Sequence, residues 1–139
     1  MNAPDSFEII GRRAFYRPIA TVSFAEGVSR VADAIAYARD RGASELMANI
    51  CGLTGSSASP NRPPNIVERY FVAEKWALAA AGRVRVAVVA RAEMIDPYKF
   101  GVTVAANRGA VGNVFVTEAE ALAWLDGPEG TPQAQTPSD

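Results

Sequence analysis

Histidine is absent from the 139 residues, and cysteine occurs once, at Cys51. Without an imidazole there is no Ser-His-Asp or Cys-His relay and no His-ligated metal site, and a single thiol closes no intrachain disulfide. Cys51 ends a strand-like run with no second cysteine beside it, and reads as a small apolar residue rather than a nucleophile. The carboxylates are scattered, mostly along polar helix surfaces, with no pair whose separation suits glycosidic or aspartic chemistry. No nucleophile and no general base stands out, so the chain is expected not to be an enzyme and to carry no cofactor or metal.

Binding chemistry is left. Residues 52–64 (GLTGSSASPNRPP) are the most unusual stretch. Ser56, Ser57 and Ser59 supply hydroxyls ahead of a helix N-terminus, where backbone N–H groups favour a phosphate, a phosphoserine or a partner. The plainer reading is a surface connector. Residues 52–56 lack the Gly-Lys-Ser/Thr of a nucleotide-binding loop. Arg69 and Tyr70, with Glu68, Glu74 and Lys75, lie on one predicted helix, either as a solvated charged face or as an interaction face for a second copy. Met94 and Tyr98 flank the end of a predicted parallel strand, where ligand crevices of open α/β sheets form, so they are a candidate rim. Asp96 and Phe100 in the same stretch read equally as helix cap and core residue. Arg108 is placed either to meet an anion or to offset a helix dipole. Trp76 and Trp124 read as core or groove-lining residues.

Four β-rich runs, each followed by a helical pattern, have to position these groups. The first run is 19–24 (IATVSF), followed by Val28, Val31, Ala32 and Ile35 at helical spacing, with Arg39, Arg41 and Gly42 as the stop. The second is 45–51 (ELMANIC); its helix starts from the Asn65/Glu68 capping box and turns Val67, Tyr70, Phe71, Ala77 and Leu78 to its apolar side, ending at Gly82. The third, 83–90 (RVRVAVVA), is continuously apolar in its second half, as a strand buried on both faces is. Asp96-Pro97 then opens a helix reaching about Asn107, with Gly109 as its stop. The fourth is 113–116, followed by the Thr117/Glu120 capping box, inward Ala121, Leu122 and Leu125, and Gly127. Ahead of them, 7–10 and 14–16 flank Gly11-Arg12-Arg13 as a hairpin. Alternating strands and helices imply one α/β domain with a mostly parallel sheet. The turn Phe24-Ala25-Glu26-Gly27 lacks the glycine fingerprint of a dinucleotide fold.

Fourteen basic and fifteen acidic residues leave a net charge of −1, with 49% apolar residues. No overall field favours nucleic acid or an anionic membrane. The apolar run 86–90 is too short to span a bilayer, so no membrane insertion is expected. Residues 1–7 lack a basic region followed by an apolar run, so no signal peptide is expected and a cytoplasmic setting is the default. Residues 1–6 are expected to be flexible. The proline- and glycine-rich stretch 127–139 (GPEGTPQAQTPSD) is expected to be a disordered tail. The folded domain is therefore assigned to 7–126.

Four consecutive βα units after a short hairpin resemble the SpoIIAA-like fold, home of the STAS domains. The local similarity is carried by Arg85-Val86-Ala87-Val88-Val89 and by Val114-Phe115 followed by Glu120-Ala121-Leu122-Ala123-Trp124-Leu125. This ending looks like the small bacterial STAS/SEC14-type proteins, and the resemblance covers residues 7–126. It implies a protein that works by contacts rather than catalysis. In the antagonist branch, a serine at the start of the second helix, usually within Asp-Ser-Ser-Gly, is phosphorylated and the added charge releases or recruits a partner. The corresponding stretch here, 54–60, reads TGSSASP, without that motif and with Pro60, Pro63 and Pro64 before the helix. Asn49 stands where the family's strand often carries an acid.

The expectation is a single-domain, SpoIIAA/STAS-like α/β protein of four βα units, acting as a regulatory or scaffold module through a protein partner or a homodimer. Its binding residues are expected among Ser56, Ser57, Ser59, Arg69 and Tyr70. The alternative is a binder of a small apolar or anionic ligand at the strand C-terminal ends, near Gly52, Met94 and Tyr98.

Overall fold

The computed structural model describes residues 4–55, 64–95, 106, 109 and 111–127. Within them the chain is a small α/β unit: a mixed five-stranded sheet, a two-stranded side ladder and three helices. The order is β1 (Phe7–Ile10), β2 (Arg13–Tyr16), β3 (Ala20–Thr21), α1 (Phe24–Asp40), β4 (Glu45–Asn49), β5 (Leu53–Thr54), α2 (Ile66–Ala80), β6 (Arg85–Val89), β7 (Gly112–Phe115) and α3 (Glu118–Leu125). A single 3₁₀ turn, Ala92–Met94, follows β6.

β1 and β2 form the expected hairpin across Gly11 and Arg12, and Gly11 takes the positive φ, 63°, that a two-residue hairpin turn demands. The main sheet runs β1-β2-β4-β6-β7, antiparallel at the hairpin and parallel thereafter. This corrects the assignment of 19–24 as the leading parallel strand, because β2 holds that place beside β4. Of 19–24, only Ala20–Thr21 forms a strand, paired with Leu53–Thr54 in the side ladder. The propensity of IATVSF is overridden at both ends. Ser23 accepts a hydrogen bond from the Glu26 N–H and starts α1 at Phe24. At the other end the chain is drawn against Gly52, where a β-carbon would sit 2.6 Å from the Pro18 carbonyl oxygen. Apart from residue 106, the helix expected over 96–107 lies outside the described residues, as do the tail after 127 and residues 1–3. The sheet is accordingly a mixed one rather than four complete parallel βα units.

The alternation of side chains divides the core. Ala14, Tyr16, Leu46, Ala48, Val86 and Val88 point to one face and pack under Val31, Ala34, Ile35 and Ala38 of α1 and Ala80 of α2. Met47, Ala87 and Val89 point to the other, under Ala121 and Leu125 of α3, with Phe15, Phe115 and Trp124 at the margin. The uninterrupted apolar run of β6 follows from burial on both faces. Both halves of the Asn65/Glu68 capping box are formed on α2, and Thr117 accepts from the Glu120 N–H on α3.

The second face also holds a buried charge cluster. Register places Arg13, Glu45 and Arg85 side by side, with Glu45 wholly buried and Arg85 6% exposed. Arg13 Nε donates to Glu45 Oε1 at 2.8 Å. Arg85 lies 3.6 Å from Glu45 Oε2 and donates to the carbonyls of Leu125 (3.1 Å) and Trp124 (3.2 Å) while covering the Trp124 ring. Arg13 reaches Asp126 at 2.7 Å. The cluster thus ties the strand N-terminal ends to the end of α3. Glu45→Ala, which strands Arg85 without its counter-charge, is expected to cost about 3–5 kcal/mol, whereas Glu45→Met with Arg85→Met costs clearly less. Urea denaturation of the single and double variants, followed by tryptophan fluorescence, checks the difference.

Candidate functional site

Helix α2 carries the surface that stands out. It buries only alanines, Ala73, Ala77 and Ala80, and these let its backbone settle close to α1. Trp76 Nε1 donates to the Val28 carbonyl at 3.0 Å, and Arg39 reaches the Ala79 carbonyl at 2.7 Å, fixing the two helices together. With the small side chains inside, the large ones stand outside. Val67 and Leu78 are 73% and 74% exposed, Ile66 63%, Phe71 51% and Tyr70 41%. Spacings of four and seven set Val67, Phe71 and Leu78 in one stripe, with Glu74 in line and Lys75 beside it. Of the apolar side expected on this helix, Val67, Tyr70, Phe71, Ala77 and Leu78, only Ala77 is buried and the other four are exposed.

Of the residues singled out from sequence, the structure brings Arg69 and Met94 together. Arg69 Nε donates to the Pro64 carbonyl at 3.0 Å and its NH1 to the Met94 carbonyl at 3.4 Å, joining the start of α2 to the turn after β6. Its guanidinium is thereby engaged in holding the fold. Tyr70 lies apart from this pair, on the exposed stripe. Ser56, Ser57, Ser59 and Tyr98 lie outside the described residues.

A polar cluster at the strand C-terminal ends was not found from sequence. Arg17, just past β2, makes a two-pronged contact with Glu118 at 2.9 and 3.1 Å. Asn49, at the end of β4, donates to Glu118 Oε2 at 2.8 Å and accepts from the Cys51 N–H at 3.0 Å. The signal in the sequence was Asn49, a lone amide inside an apolar run. The hydrogen bonds from Arg17 and then Asn49 hold the Glu118 carboxyl below its ordinary range, and the bond to Glu118 raises the Arg17 guanidinium above its own. Glu118 is consequently a fixed anion that orients its neighbours and no proton carrier at neutral pH. The parallel strands β2, β4, β6 and β7 stand in sequence order, so among them no reversal of order opens the crevice used by doubly wound folds.

Among the described residues no three His, Cys, Asp or Glu side chains are grouped to hold a metal ion, and no helix is long and apolar enough to cross a membrane. Compared with known protein families, with curated proteins and with solved structures, the chain matches none.

Because the folded state depresses the Glu118 pKa, its contribution to stability is present above the unfolded carboxylate value of about 4.3 and is lost as pH falls through the folded value. Glu118→Gln is expected to cost less than about 1 kcal/mol at neutral pH, since Arg17 is partly solvated. That difference from the wild type should vanish in acid. Paired urea titrations at pH 7 and pH 3 measure it; an equal difference at both would assign the loss to packing.

Proposed function

We propose that the chain is a non-catalytic, STAS-like regulatory or scaffold module that works by protein binding, docking through the exposed stripe of α2. The observation that carries this reading is the inversion of α2: alanines inside, and Ile66, Val67, Tyr70, Phe71 and Leu78 outside. A helix that buried these residues would gain roughly 1.5–3 kcal/mol for each large side chain, so their exposure is a cost that a partner relieves. The ligand-binding alternative has less support. Arg17, Asn49 and Glu118 bond to one another at the strand ends, and Arg69 holds the neighbouring turn.

The same proposal takes the parallel strands β2, β4, β6 and β7, with α1 and α2 on one face, as the βα repeat of the SpoIIAA-like fold behind a leading strand. It places the module in the cytoplasm, with a protein partner or a second copy on α2. Ser56, Ser57 and Ser59 precede α2 in the chain, so phosphate added there would bring negative charge toward its positive N-terminal end.

Phe71→Asp with Leu78→Asp changes two exposed residues, and each is expected to shift stability by no more than about 0.5 kcal/mol. Affinity purification from the native organism, with mass spectrometry of proteins and small molecules, should recover with the wild type a protein that the variant loses; sedimentation velocity of the purified chains covers self-association. A specific small molecule retained equally by both chains, with no protein difference and no change in mass, would overturn the reading.

A further inference from the structure

We propose that the outer edge of β1 is a second binding site, which takes an extended peptide as an added strand and meets a carboxylate of that peptide with Arg41. β1 ends the sheet. Ile10 and Arg13 flank the two-residue turn, and the Arg17 N–H bonds to the Ser6 carbonyl, so residues 6, 8 and 10 turn their backbone groups toward β2. The N–H and C=O of Phe7 and Ile9 therefore point outward and pair with no strand among the described residues. This is the template that strand addition uses, with backbone bonds giving affinity and alternate side chains giving selectivity.

The side-chain surface beside that edge is shaped. Phe7, Ile9, Tyr37 and Arg41, with Glu8, line an open depression of 340 Å³. The Phe7 and Tyr37 rings meet edge to face at 5.1 Å, and the Arg41 guanidinium lies 5.0 Å from the Tyr37 ring centre. Arg41 forms no ion pair with a carboxylate of the described residues. An added strand would set alternate side chains over this depression, where an apolar group fits the rings and a carboxylate fits Arg41. Its intervening residue would face Glu8, which lies 3.9 Å from Arg17, so a cation there would share an existing ion pair whereas an acid would be repelled by Glu8.

The charge on Glu8 also selects the occupant. In the antiparallel register that pairs Phe7 with Ile9 of a second copy, the two Glu8 side chains would stand directly opposite, which is destabilising. That register disfavours a second copy, and the occupant we assign is a different chain, with an apolar-basic-acidic order along an extended segment that sets its acid against Arg41. This site is separate from α2 and stands whether or not α2 binds a protein.

The test uses the full chain, ¹⁵N-labelled, and two peptides: Thr-Thr-Val-Lys-Asp-Thr-Thr, and the same with Lys and Asp exchanged. The first should shift the amides of Phe7 and Ile9 and slow their hydrogen exchange. The exchanged peptide should bind at least about threefold more weakly, and Arg41→Gln should remove most of that discrimination. Ile9→Pro removes the outward N–H together with a side chain of the depression, so it is compared with Ile9→Ala, which removes the side chain alone. The proline variant should bind the first peptide more weakly than the alanine variant, with amide spectra of β2 and β4 reporting that the sheet is intact. No response at Phe7 and Ile9, responses confined to α2, or equal binding of the two peptides to the wild type would overturn the proposal.

Discussion

A buried carboxylate at the start of a central strand constrains much of this structure. Glu45 has no solvent of its own, so its charge has to be matched from the neighbouring strands, and Arg13 and Arg85 do so from the paired positions on either side. The match fixes register across three strands together. A slip of one residue would swing Glu45 away from Arg13 and Arg85 onto the apolar face packed by α1 and α2. The same arginines then reach past Glu45: Arg85 to the last carbonyls of α3, and Arg13 to Asp126 beyond it. A helix of eight residues is too short to be stable alone. Its C-terminal end is held by these bonds and its N-terminal end by Thr117, Arg17 and Asn49.

The opposite face is governed by size rather than charge. Alanines at the buried positions of α2 allow a close approach to α1, and the consequence is that Phe71, Leu78 and Val67 have no interior to enter. One face of the sheet is therefore closed by a short helix latched at both ends. Among the described residues the other is covered by α1 and by α2, and the apolar outer stripe belongs to α2 alone.

Much of this was legible in the sequence where the cause is local. Gly11-Arg12, the Asn65/Glu68 box, the stop at Gly42 and the apolar run of β6 are set by turn chemistry, capping and burial within a few residues. Most of the differences fall where a distant contact decides, the local cap at Ser23 being the exception. Ser23 and the close approach at Gly52 end the strand expected at 19–24. The alternation on α2 is ambiguous, because Val67, Phe71 and Leu78 at helical spacing describe a core face and a docking face equally well; only the position of Ala73, Ala77 and Ala80 against α1 separates them. Glu45 and Arg85 could have been noticed as charges at the start of two buried-looking strands. Their pairing requires the strand order, which no single run of residues contains. Arg69 and Met94 were found singly, but the bond that joins them spans 25 positions.

The same physics bears on how such a molecule changes state. The chain has no histidine, so it lacks the side chain that ordinarily titrates between about pH 5 and 8. In the latch at the strand ends, Glu118 is shifted further toward its ionised form and Arg17 toward its protonated form, so both stay charged across that range. A change in this latch near neutral pH must then come from groups brought to it: a bound chain, or charge added covalently. Both act more readily where the fold is open than where it is closed. The outer stripe of α2 offers apolar area at low cost in displaced internal contacts, whereas entry beneath α3 would have to break the Arg17–Glu118–Asn49 contacts or uncover Glu45. The buried charges are thereby left the task of keeping one register.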